Sequence, residues 1–199
     1  MLTARELQGY FKKAMAYEAY VTHAKPHERP GWEASAARVQ LTAEQRGLVA
    51  GFSRRINVLC ISGTWCGDCV QQCPMLHRIA EPAAVAVAAP PGAPGIDLRF
   101  LEREANLDFA EIVSICGGHR VPTVVFMNED FEFVSLLGDR TLARYRAIAK
   151  TSLGPACPMP GAALPTDVLA ATVQDWLNEF ERVALLLRLS PKLRQRYGD

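Results

Sequence analysis

The chain has 199 residues, 49% of them hydrophobic and 22% charged, with a formal net charge of +1. It is long and apolar enough to bury a core without covalent staples, and its near-neutral balance excludes a global pull toward nucleic acid or a membrane surface. No stretch approaches the roughly 18 apolar residues of a membrane span, and Met1 to Gln8 lack the regions of a secretory signal. A reducing cytoplasm is therefore the expected location, with the six cysteines not paired as three structural disulfides.

Residues 2–22 read as one helix, with Leu7, Phe11, Ala14 and Met15 at helical spacing. Tyr10, Tyr17 and Tyr20 are expected to pack on the core with their hydroxyls in solvent rather than to form a partner-binding face. Residues 27–31, containing Pro30-Gly31, read as a connecting loop, which His23 and His27 merely mark. Thr42-Ala43-Glu44-Gln45 is a capping-box pattern that opens a helix ending near Ser53. The β-branched run from Ile56 to Ile61, ending in Ser62-Gly63-Thr64, reads as a buried strand entering a turn. Trp65-Cys66-Gly67-Asp68-Cys69 follows, and then Val70, Cys73, Leu76, His77, Ile79 and Ala80 recur at helical spacing, which puts Cys66 at or just before a helical first turn.

Further along, residues 88–95 suit a surface loop, residues 96–102 a second strand, and residues 106–115 a helix stopped by Gly117, with Cys116 in its last buried turn. Residues 122–127 and 131–137 form an antiparallel hairpin across Asn128-Glu129-Asp130, and residues 140–150 a helix. The Pro- and Gly-rich residues 153–165 make a linker, where Cys157 is expected to be exposed and incidental. From residue 166 to 187, Leu169, Val173, Trp176, Leu177, Phe180, Ala184 and Leu187 make one helical stripe, with the N-terminal helices as its nearest candidates for burial. The basic tail, with Arg188, Lys192, Arg194 and Arg196, reads as a solvated charge run.

Two thiols three residues apart at the mouth of a helix can exchange a disulfide with another protein. The thiolate is the nucleophile, and the partial positive charge of unpaired N–H groups at a helix N-terminus stabilises an anion there. Cys66 is thus the attacking thiol, while Cys69, one turn further in, resolves the mixed disulfide. Gly67 allows a tight turn between them and Trp65 shields one side of the sulfurs. Asp68 opposes the Cys66 thiolate but is screened and favoured in a first turn, so the expectation is a Cys66 pKa somewhat below a free thiol and a reducing protein.

The competing chemistry is a metal site on Cys66, Cys69, Cys73 and His77. On one straight helix Cys66 and His77 lie about 16 Å apart, too far for a single tetrahedral ion. No metal and no cofactor are therefore expected, with Cys73 and His77 on the inner face of the helix. His119 reads as a solvated loop histidine.

The sequence resembles the thioredoxin superfamily over roughly residues 50–150. The residues that carry the likeness are the WCGDC stretch, Pro74 five residues after the second cysteine, and Arg120-Val121-Pro122-Thr123, which looks like the family's cis-proline loop. The stretch from Glu102 to Asp108 and Gly138-Asp139-Arg140 are similar to a bacterial branch that carries WCGDC. The resemblance implies an α/β thioredoxin-like fold, a central mixed sheet of about four strands flanked by helices. Residues 1–50 would be a helical extension, 51–150 the thioredoxin-like domain, and 151–199 a linker and a helix packing on that domain.

It also implies a substrate site of Trp65, Gly67, Asp68, Val121 and Pro122, with a cis Pro122 against the sulfurs and the Val121 backbone pairing with a substrate strand. Partners would be protein disulfides and an electron donor such as a thioredoxin reductase or a small thiol, with neither nucleic acid nor membrane. Typical members bury a proton-relaying aspartate where this chain has Cys60, a small hydrophobe in a central strand, so water or a carboxylate such as Glu102 must serve. Two functions follow as expectations: a thiol-disulfide oxidoreductase, or a non-enzymatic interaction or redox-sensing module.

Overall fold

The computed structural model describes residues 2–86, 93–153 and 164–198. Its centre is a four-stranded mixed sheet in the order β2-β1-β3-β4, formed by β1 (Arg55–Ser62), β2 (Gly95–Glu102), β3 (Thr123–Met127) and β4 (Phe133–Gly138). β1 runs parallel to β2 and antiparallel to β3, and β3 pairs antiparallel with β4. β1 is covered on both faces, which explains its unbroken apolar run instead of an alternating one. Helices flank this sheet, so the architecture is the α/β one read from the sequence. Most of the predicted 88–95 loop and 153–165 linker, including Cys157, lies outside the described residues.

The N-terminal segment differs from the reading as a single helix. Thr3 and Glu6 form a reciprocal capping box on α1 (Ala4–Lys13), and α2 (Tyr17–His23) starts separately. Between them Met15 takes strand geometry on the outer edge of β2, its N–H and C=O each 2.8 Å from the matching groups of Phe100. A continuous helix would leave both edge groups of Phe100 without a partner, and such groups are costly to leave unmade.

The two halves serve opposite faces, because successive strand residues alternate. Phe11 of α1 lies by Arg99 and Phe131, whereas Tyr17 and Tyr20 of α2 pack on Phe100. Tyr20 is fully buried and donates to Glu102 Oε2 at 3.0 Å, so its hydroxyl is not in solvent as expected.

The predicted 27–31 loop is in part the start of α3 (Arg29–Arg38), with Pro30 in the first turn, where its missing N–H costs nothing. Trp32 of α3 is fully buried and donates from Nε1 to the Thr64 carbonyl at 3.0 Å, holding the turn that leads into the cysteines. α4 (Ala43–Ala50) has the predicted capping box of Thr42 and Gln45 and ends at Gly51.

After α5 (Gly67–Ala80), α6 (Leu107–Ile112) is shorter than predicted. Ile115 and Gly118 instead exchange both backbone hydrogen bonds around Cys116 and Gly117, at φ of 51° and 69°. Cys116 therefore sits exposed at a tight turn rather than in a buried helical turn.

α7 (Leu142–Ser152) precedes α8 (Val168–Leu189), whose buried stripe includes Val173, Trp176, Leu177, Phe180, Ala184 and Leu187. That stripe packs on α5, α7 and Phe126 of β3 more than on the N-terminal helices, to which a Gln45–Gln174 hydrogen bond still ties it. The basic tail is not simply solvated. It forms α9 (Pro191–Tyr197), where Lys192 pairs with Glu132 at 2.7 Å and Arg196 with Asp130 at the β3–β4 turn.

Candidate functional site

β1 delivers the chain to the CxxC, and α5 begins one residue after Cys66, which is its N-cap. Cys66 is half-buried, with Sγ 3.6 Å from the Val121 carbonyl, to which it donates. The Val121–Pro122 peptide is cis. Cys69 is fully buried behind Cys66, and both are free thiols. The structure thus brings Cys66, Cys69, Val121 and Pro122 together.

Trp65 is exposed, and the Arg103 guanidinium lies 4.5 Å from the centre of its ring. Arg103 also donates to the His119 carbonyl at 3.0 Å, while the His119 ring pairs with Glu111. Gly67 does not make a tight turn as expected. It is the first helical residue with ordinary backbone geometry, and a Cβ there would meet open space. Its contribution is an uncrowded mouth beside the sulfurs.

Asp68 is not a solvent-screened carboxylate. Arg140 Nη2 reaches its Oδ2 at 2.5 Å and Arg144 Nη2 its Oδ1 at 2.7 Å. Arg140 also pairs with Asp139 at 3.1 Å, and Asp139 with Arg120 at 3.2 Å and with the Tyr145 hydroxyl. An alternating ionic chain therefore joins the residue before Val121 to the residue between the two cysteines. Gly138 completes this corner, since a Cβ there would sit 2.7 Å from the Pro122 carbonyl oxygen. Behind it, Gln72 of α5 donates to the Asp139 carbonyl at 2.9 Å and accepts from Trp176 Nε1 at 3.2 Å.

Cys69, then burial, push the Cys66 thiol up, against the pull of the backbone N–H groups of Cys69 and Asp68. The expectation of a Cys66 pKa below a free thiol is thus not met in the reduced pair. Burial pushes Cys69 up as well. Cys66 is the sulfur better placed to hold the first negative charge, having more solvent and two N–H groups facing it.

Cys60 is buried in the core on the inner strand β1, as read from the sequence, and it also has a sulfur neighbour. Its Sγ lies 3.9 Å from Cys73 Sγ, and Ser62 Oγ lies 3.4 Å from the same Cys73 sulfur. Glu102, the expected substitute proton acceptor, is next to Ser62 in the β1–β2 register and holds the Tyr20 hydroxyl, with burial raising its pKa. His77 stacks on Tyr17 and faces Glu18 and Glu81. Among the described residues, no group of three or more His, Cys, Asp or Glu side chains is arranged to hold a metal ion.

Sequence reasoning missed Arg103, Arg120 and Arg144 as parts of the site. Arg103, Arg120 and Arg140 lay inside the stretches that carry the family likeness, and only Arg144 lay outside all of them.

The thioredoxin family model matches residues 14–149. None of the curated proteins compared matches this sequence. Among solved structures, a Pseudomonas aeruginosa protein of unknown function aligns with a TM-score of 0.65 at 15% identity, over 92% of this chain and 97% of that one. An HIV epitope scaffold aligns with a TM-score of 0.63 at 14% identity, over 88% of this chain and 95% of the scaffold. At such identities the likeness is one of fold.

Proposed function

Because this chain belongs to the thioredoxin family, we propose that it is a thiol-disulfide oxidoreductase that reduces protein disulfides through Cys66 and Cys69. The observation that carries the reading is the placement of a half-buried Cys66 at the N-terminus of α5, facing Val121, with a buried Cys69 one turn behind.

The Cys66 thiolate attacks one sulfur of the substrate disulfide, and the other substrate sulfur leaves as a thiolate. Cys69 then attacks Cys66 Sγ, releasing the second substrate thiol and leaving a Cys66–Cys69 disulfide. A thioredoxin reductase or a small thiol returns two electrons to that disulfide, and the exchange calls for no cofactor of its own. An extended substrate segment aligns along the Val121 backbone beside Pro122, flanked by Trp65, Gly67 and Asp68.

The narrower reading, a bacterial thioredoxin-like protein of the WCGDC type, is supported by the ion pair that joins Asp68 to Arg140. A cytoplasmic setting suits two free thiols, and among the described residues no helix is long and apolar enough to cross a membrane. The second reading, a thioredoxin-like binding or redox-sensing module, draws on the upward push on the Cys66 thiol, which slows attack at neutral pH.

Disulfide reduction with dithiothreitol as donor separates the two. The wild type is expected to turn over, Cys66→Ser to be inactive, and Cys69→Ser to accumulate mixed disulfides with its substrates. Wild-type turnover no faster than that of both variants rules out the oxidoreductase.

A further inference from the structure

Two of the three sulfurs behind Cys66 have no part in the cycle above. Cys60 on β1 and Cys73 on α5 are fully buried and 3.9 Å apart at Sγ, and Cys73 follows Cys69 by about one turn of α5. The four sulfurs thus form a file from the mouth of the site into the core, in the order Cys66, Cys69, Cys73, Cys60. We propose that Cys60 and Cys73 are a second redox pair, oxidised only from within by the Cys66–Cys69 disulfide. This rests on the oxidoreductase reading and extends it from two stored electrons to four.

The exchange balances without any further reagent. Cys73 loses its proton and attacks Cys69 Sγ, forming a Cys69–Cys73 bond while Cys66 leaves as the thiolate and takes up a proton. Cys60 then loses its proton and attacks Cys73 Sγ, and Cys69 leaves as a thiol. The outer pair is reduced, the inner pair oxidised, and two protons have moved outward.

Three features favour this route. Ser62 Oγ, 3.4 Å from Cys73 Sγ, can donate to the Cys73 thiolate as it forms. The intermediate bond joins residues four apart on one helix, which requires the turn to open. Pro74, next to Cys73, has no N–H for the carbonyl four residues back, so the helix lacks a rung at this turn and opens there at lower cost. Finally, with both inner sulfurs closed to solvent, a bulky disulfide reaches them only through Cys69.

The test uses the full chain carrying Cys116→Ala and Cys157→Ala, treated with excess oxidised glutathione and followed by thiol titration and peptide mass spectrometry. The expected result is loss of all four remaining thiols, with a peptide linking Cys60 to Cys73 that appears after the Cys66–Cys69 disulfide. Adding Cys69→Ala is expected to leave Cys60 and Cys73 reduced. If the Cys66–Cys69 disulfide forms and the inner thiols persist, the second pair is refuted while the oxidoreductase reading stands. Equal oxidation of Cys60 and Cys73 in the Cys69→Ala chain refutes the internal route. If Cys66 and Cys69 form no disulfide, the oxidoreductase reading falls and this inference with it.

Discussion

Asp68 shows how partners decide the effect of a charge. Alone beside the sulfurs it would oppose a thiolate, but two arginines neutralise it, and the three charges together leave a net positive corner near Cys66. Asp68→Ala removes the negative member and leaves both guanidiniums. The Cys66 pKa should then fall by about one unit, the lower end of what a neighbouring cation does. Iodoacetamide alkylation of Cys66 in Asp68→Ala should therefore accelerate at lower pH than in the wild type; an unchanged pH profile would contradict this. Cys69→Ala acts on the same sulfur by another route, since Cys69 is the largest influence pushing Cys66 up. Iodoacetamide alkylation of the wild type should still accelerate above pH 9, and in Cys69→Ala the rise should shift to lower pH. Cys66, Cys69 and Pro122 were legible because their signals are local in sequence. The ionic chain was not, since Arg140 lies 72 residues from Asp68 and only the fold brings them together.

Periodicity tells which side of a helix is buried but not what covers it. The stripe of α8 was readable for that reason, while its packing on α5, α7 and β3 was not. α3 escaped notice because its only fully buried side chain is Trp32, so no stripe exists, and Pro30-Gly31 imitates a turn. The break at Met15 was hidden because apolar spacing continues across it, and what interrupts the helix is a backbone bond to Phe100 that leaves no mark on side-chain pattern. α8 also reaches the site, through Trp176, Gln72 and the Asp139 carbonyl. Trp176→Ala should cost about 3–5 kcal/mol in urea unfolding. Trp176→Phe, which leaves Gln72 Oε1 without its donor, should cost about 1–3 kcal/mol. Equal losses from the two would mean that packing contributes nothing beyond the hydrogen bond.

For the molecule as a whole, pH dependence follows from carboxylates shifted in opposite senses. Burial works to raise the Asp139 pKa, but the Tyr145 hydrogen bond, its own backbone and the two arginines hold it below the usual carboxylate range. A depressed folded-state pKa contributes stability above the unfolded value of about 3.9, lost as pH falls through the folded value. Asp139→Asn should therefore lower the unfolding midpoint at pH 7 and flatten the acid limb below about pH 4. Glu102 runs the other way: burial raises its pKa, so its contribution is present below the unfolded value and lost as pH rises. Glu102→Gln keeps an acceptor for Tyr20 and should raise the midpoint at pH 7 while leaving it unchanged near pH 3; a drop at pH 7 would refute the assignment. Met15 governs how copies of the chain meet one another. An uncovered strand edge is a template on which identical molecules stack into aggregates, and the outer edge of β2 is occupied at Phe100 by this chain's own backbone. Precipitation from that edge must wait until the segment around Met15 peels away, so the short link between α1 and α2 acts as the molecule's guard against its own kind.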